Sequence, residues 1–142
     1  MEKRIVEQWE KHKGTLKSYI KRLRVKDCDS YLKLVRILVS ECLNVKCDGF
    51  NSDEIVSIDH GDFQGTEIFL FHEDTYQPSI EEYYILYIDY GSCSGCDTLK
   101  RIFEGYEEDT DPVSEKQAEG LMTLMLHMVQ RTRRLGRVLE RE

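Results

Sequence analysis

The run Tyr90-Gly-Ser-Cys-Ser-Gly-Cys-Asp97 concentrates more reactive residue types than any other stretch of this chain. Two thiols in C-x-x-C spacing, two hydroxyls and two glycines follow an aromatic, β-branched run and precede a helical one. A strand that turns there straight into a helix gathers free backbone N–H groups at the positive end of a helix dipole, which suits a small anionic ligand. The same field lowers the pKa of a nearby thiol, so Cys93 or Cys96 becomes a candidate thiolate. Ligand binding would then fall to Tyr90, Gly91, Ser92, Cys93, Ser94, Gly95, Cys96 and Asp97. For metal, Cys93 and Cys96 have zinc-knuckle spacing, and Cys42 with Cys47 can complete four thiolates around zinc. The plainer reading is a tight turn with Ser94 as a helix cap and inert, packed cysteines. Cys42 in particular also fits the apolar stripe of a helix.

Other catalytic patterns find less support. No Walker or dinucleotide fingerprint surrounds the Ser/Gly run, and no lysine follows it before Lys100. Nothing in the order of residues brings a particular histidine to Cys93, so no nucleophile-base pair is assigned. His60 and His72 fall at opposite ends of an expected hairpin, about 20 Å apart at 3.3 Å per residue, and cannot share a metal. His12 belongs to a charged helix surface and His127 to a Met/Leu stripe, where a structural histidine is expected. Asp59, Asp62, Glu73 and Asp74 read as solvated carboxylates at loop ends.

The elements that must position the 90–97 run follow from periodicity. Ile5, Trp9, Leu16, Tyr19, Ile20 and Leu23 recur at helical spacing over residues 2–24, with a weak point at Gly14. Asp29 or Ser30 caps a second helix whose Tyr31, Leu34, Val35, Leu38, Val39 and Cys42 form a core stripe. Turn residues 47–53 end the helical part. Strands are expected over 54–60, 66–72 and 83–90, the first two joined by a hairpin loop at 61–65, the third covered on both faces. Ser94 and Asp97 have capping-box spacing for a third helix, and Asp111-Pro112 is expected to open a fourth. Its stripe is Val113, Leu121, Leu124, Met125 and Met128, extending to Leu135, with Arg131, Arg133, Arg134 and Arg137 as a solvated end. The order ααβββαα predicts an α+β domain over residues 1–142, a three-stranded antiparallel sheet flanked by about four helices.

Charge narrows the partners. The 142 residues carry a net charge of −7, divided unevenly. Residues 1–26 hold nine Lys/Arg against three Glu, net +6; residues 27–112 hold five against twenty acids, net −15; residues 113–142 hold six against four, net +2. So acidic a centre repels nucleic-acid phosphate and suits a basic protein surface. The charged start has no apolar stretch of secretory length, and no apolar run is long enough to span a bilayer, so a cytoplasmic protein with no membrane contact is expected. Five cysteines, an odd number, point to reduced thiols or metal ligands rather than a disulfide framework. The Met/Leu helix stripe leaves pairing into a homodimer open.

Two resemblances bear on function. A strand followed by C-x-x-C at a helix start resembles the active-site unit of the thioredoxin family over about twenty residues, which would make Cys93 the attacking and Cys96 the resolving thiol. That family continues with further strands and a cis-proline beside the thiols, whereas everything after Cys96 here reads as helical, and Ser92 stands where that family has Trp. The strings Asp62-Phe-Gln-Gly-Thr-Glu-Ile-Phe-Leu-Phe71, Asp74-Thr-Tyr-Gln-Pro78 and Tyr90-Gly-Ser-Cys-Ser-Gly-Cys-Asp-Thr-Leu99, with Leu121 to Gln130, resemble a family of uncharacterised small bacteriophage proteins. That resemblance implies a phage origin and no chemistry. The expectation is therefore a non-enzymatic protein in the host cytoplasm that binds a host protein, such as a component of host defence. A small-ligand or zinc module at Cys93–Cys96 is the alternative, and thiol-disulfide exchange a third.

Overall fold

The computed structural model describes residues 3–43, 50–60, 65–75, 77–90, 98–104 and 110–140. Helix α1 (Lys3–Ile20) turns Ile5, Trp9, Leu16 and Ile20 inward and runs unbroken through Gly14. A single 3-10 turn (Val25–Asp27) leads to α2 (Tyr31–Leu38), capped by Ser30, whose hydroxyl accepts from the Lys33 N–H at 3.2 Å. Lys33 Nζ in turn donates to Asp29 at 2.8 Å and to the Lys26 carbonyl at 2.7 Å, fixing the entry of the helix. The chain continues in a π-type turn (Val39–Leu43) that buries Val39, Cys42 and Leu43. As the apolar stripe predicts, this second helical stretch is core on most sides, packed against α1 and α4 (Glu115–Arg131).

The sheet is antiparallel with strand order β1-β2-β3-β4, and the protein belongs to the α+β class. Its strands are β1 (Val56–His60), β2 (Gly65–His72), β3 (Tyr83–Tyr90) and β4 (Arg133–Arg134). The fourth strand corrects the expectation of three. After α4, Thr132 is extended (φ −71°, ψ 133°), and its hydroxyl donates to the Met128 carbonyl at 2.8 Å, closing the helix. That extension lets Arg133 and Arg134 pair with Ile85 and Tyr84 instead of forming a solvated helix end. Helix α5 (Leu135–Glu140) then returns against β3 and the 3-10 turn Ile80–Glu82.

The opening of α4 is a second correction. Pro112 lies in an isolated antiparallel bridge with Arg24, held by Val25 N–H to Asp111 O at 2.9 Å and Val113 N–H to Leu23 O at 3.0 Å. The helix begins at Ser114, in a capping box with Gln117: the Ser114 hydroxyl accepts from Gln117 N–H at 3.1 Å, and Gln117 Oε1 accepts from Ser114 N–H at 2.9 Å. Ala118, Leu121, Leu124, Met125, Met128 and Val129 then face the core. His127, expected within that stripe, lies on the exposed side of the helix.

One face of the sheet carries Phe69, Phe71, Tyr84, Leu86 and Ile88, all buried in the same core as the helical residues. Its centre is an aromatic triad: Phe50 meets Phe71 and Tyr84 edge-on at 5.4 and 5.0 Å between centroids, and Phe71 stacks on Tyr84 at 5.6 Å. The Arg4 guanidinium covers the Phe50 ring at 5.1 Å and pairs with Glu73, while Arg134 covers Tyr84 at 5.3 Å. Glu73 is thus held by an ion pair rather than left as a solvated loop-end acid. The expectation that β3 is covered on both faces fails. Tyr84, Leu86 and Ile88 are buried, whereas Tyr87 and Asp89 on the alternate face are exposed.

Candidate functional site

Residues 91–97 lie outside the described residues, as does Cys47, so Gly91, Ser92, Cys93, Ser94, Gly95, Cys96 and Asp97 have no structural account here. What flanks them is placed. Strand β3 ends at Tyr90, and the short helix α3 (Thr98–Ile102) follows, its Leu99 N–H donating to the buried Tyr31 hydroxyl at 3.3 Å. A strand on one side and a helix on the other is the arrangement the spacing predicts. The capping pair Ser94 and Asp97 falls inside the undescribed stretch.

Cys42 sits in the core with no exposed surface, and its thiol lies 3.9 Å from the Gln8 carbonyl, as a weak donor. Burial pushes its pKa up to about 12. Cys28, equally buried, is raised to about 12 by burial first and by the neighbouring Asp27 and Asp29 carboxylates second. Both behave as small apolar residues with protonated thiols. Among the described residues no group of three or more His, Cys, Asp or Glu side chains is placed to hold a metal.

The ladder keeps the two strand histidines apart: His60 faces Thr66 at one end, and His72 faces Tyr83 at the other. His72 forms a corner that sequence reasoning missed. The ring is 3% exposed, with Nδ1 2.7 Å from the Glu73 carbonyl oxygen and Nε2 3.1 Å from Glu54 Oε2. Nδ1 can reach the Glu73 carbonyl only as a donor, which fixes the N–H on that side of the ring. The corner is tied further by Asn51 N–H to the His72 carbonyl at 2.9 Å. Asn51 Oδ1 also accepts from the N–H groups of Asp53 and Glu54, an Asx turn that sets the entry to β1.

The feature that stands apart is the second face of the sheet. Register places Val56 beside Leu70, Leu70 beside Ile85 and Ile85 beside Arg133; one two-residue step along, Ile58 faces Ile68 and Ile68 faces Tyr87. Side chains two apart share a face, so these residues form one apolar strip. Val56 is 50% exposed, Ile58 39% and Tyr87 49%, with Ile68, Leu70 and Ile85 half-buried between them. At its β4 side a depression of about 260 Å³ is lined by Tyr87, Asp89, Arg131 and Arg133. At its β1 side stands the Glu54 carboxylate, 69% exposed. The signal was present in the sequence of β1 as alternation, Val56 and Ile58 with Ser57 and Asp59, and absent from β3, where Ile85, Leu86, Tyr87 and Ile88 are apolar on both faces.

No helix among the described residues is long and apolar enough to cross a membrane. Comparison of the chain with models of known families, with curated proteins and with solved structures finds no match.

Proposed function

We propose that this is a non-catalytic binding protein that docks another protein on the open face of its sheet. The observation that carries the reading is the contiguous strip Val56, Ile58, Ile68, Leu70, Ile85 and Tyr87, large apolar side chains left in partial contact with water on a regular sheet surface. Apolar patches of that kind, rimmed by charge, mark interaction sites. The acidic centre of the chain and the exposed Glu54 beside the strip favour a partner with a basic rim. A host protein in the host cytoplasm, with host-defence components among the targets, fits the phage resemblance and is part of this proposal. The test is capture from host lysate at low and high salt, with the unmodified chain and with Ile58→Asp side by side. A stoichiometric, salt-sensitive partner lost on substitution supports the reading. Equal recovery by both chains refutes the assignment to this face.

A second reading has its own observation. Strand β3 and helix α3 flank the Cys93–Cys96 segment as a small-ligand or zinc site would require. Cys42 fits that set poorly, since its buried, protonated thiol suits the core better than a thiolate ligand. Elemental analysis with a free-thiol count on native protein decides the matter: metal-free protein with two unreactive thiols at these positions removes both zinc and redox chemistry.

A further inference from the structure

The strip has a charge pattern that points to a particular occupant. Along the β4 edge stand Arg131 and Arg133; Arg133 donates to the carbonyls of Gln130 at 2.6 Å and Thr132 at 2.9 Å, and among the described residues no carboxylate pairs with either arginine. Along the opposite edge stands Glu54, its side chain 69% exposed; Oε2 lies 3.1 Å from His72 Nε2, and the other carboxylate oxygen is left for a second copy. Two arginines against the single carboxylate of Asp89 leave the β4 side net positive, and Glu54 leaves the β1 side negative, with one apolar centre between them. From this we infer that the open face also binds a second copy of this chain, face to face about a two-fold axis running along the strands.

An isologous contact must be self-complementary. Rotation about an axis along the strands exchanges the two edges, so the β1 edge of each copy meets the β4 edge of the other. Val56 is level with Arg133 across the ladder, and Glu54 lies one two-residue step beyond it, about 6.6 Å. A long arginine side chain covers that step, so two Glu54–Arg133 pairs form around a centre of Val56, Ile58, Ile68, Leu70, Ile85 and Tyr87. A two-fold axis across the strands would instead set the arginine edge of one copy against the same edge of the other. Like charge disfavours that arrangement and selects the first.

Size sets the strength. Four strands at about 4.8 Å and the four residue steps from Glu54 to Ile58 at about 3.3 Å give a patch of about 19 by 13 Å, about 250 Å² per copy. The total of about 500 Å² falls well below the range of stable interfaces, so the dimer is weak and forms only with rising concentration. This inference goes beyond the docking role and does not rest on it, because the purified chain alone decides it.

The test is sedimentation velocity of the full chain from about 5 to about 500 μM at low salt, a range chosen for an interface of this size. The expected result is a mass that rises from one chain toward two. Arg133→Glu and Glu54→Arg should each weaken association by about tenfold or more, because each sets like charges opposite. An equimolar mixture of the two variants restores both pairs and should recover the association of the unmodified chain. Ile58→Asp, at an exposed position, should abolish it without unfolding the protein. A single-chain mass at the highest concentration overturns the inference. So does association indifferent to Ile58→Asp, or a mixture no stronger than its components.

Discussion

Gly14 tests whether α1 is held by its buried stripe alone or also limited by its own backbone. The helix passes through this residue without interruption, and a Cβ built there meets nothing within 4 Å. Gly14→Ala therefore adds helix propensity with no steric cost, worth about 1 kcal/mol. For 142 residues the entropy of unfolding is about 0.3 kcal/mol per degree, so Tm should rise by about 3 °C. Urea titration followed by circular dichroism should show a higher midpoint at unchanged slope. Gly120 in α4 is the counter-case. A Cβ there lands 3.1 Å from Ile102 Cγ1, 3.5 Å from Cδ1 and 3.6 Å from Cγ2, so Ile102 has to give way before the same propensity gain is realised. Gly120→Ala should fall short of Gly14→Ala by about 1 kcal/mol, the low end of what overpacking costs. Adding Ile102→Ala, which removes the obstructing atoms, should narrow the difference between Gly and Ala at position 120. Equal gains at the two glycines, or no gain at Gly14, would refute the reasoning.

Three further expectations follow from single contacts. With Cys47, Cys93 and Cys96 replaced by Ser, the remaining Cys28 and Cys42 should resist a thiol reagent in the native state, since a pKa near 12 in place of 9.0 leaves about a thousandfold less thiolate; rapid labelling without denaturant would contradict their burial. Ser114→Ala removes the hydroxyl that accepts from Gln117 N–H and should cost about 1 kcal/mol by denaturant titration, whereas Pro112→Ala leaves α4 capped. The Glu82 carboxyl is held below its ordinary range by the Ser79 backbone N–H first and the Thr75 hydroxyl second. Its contribution is present above the unfolded carboxylate value, about 4.3, and is lost as pH falls through the lower folded value. Glu82→Gln should therefore flatten the acid limb of the stability profile slightly, the group being exposed. Glu115, lowered chiefly by Lys21, should behave in the same way. An acid limb unchanged by both substitutions would contradict the assignment.

Local pattern was enough to place the two long helical stretches, the Ser30 cap and three strands, because burial periodicity and capping chemistry act within a few residues of chain. Strand β3 is bounded at Tyr83 and Tyr90 as its aromatic run suggests. Where the reading went astray, a distant partner decided. Pro112 resembles the first residue of a helix until Arg24 is found beside it, and Arg133–Arg134 resembles a helix end until the free edge of β3 is there to pair with. The exposure of Tyr87 was likewise not local: Tyr83 to Tyr90 is apolar enough for two covered faces, and the core residues of α1, α2 and α4 join the Tyr84, Leu86 and Ile88 face while Tyr87 stays exposed. The Tyr90–Asp97 run is the most distinctive chemistry in the sequence; the strand before it ends at Tyr90 as expected, and the helix start expected at Ser94 lies outside the described residues. The sheet face that the function is proposed to use came from register, which aligns single residues of strands far apart in the chain. Composition and periodicity settle which side chains avoid water. Which apolar side chains fail to avoid it depends on which layers form around the sheet, and among the described residues the large buried core lies on the Phe69, Phe71, Tyr84, Leu86 and Ile88 face.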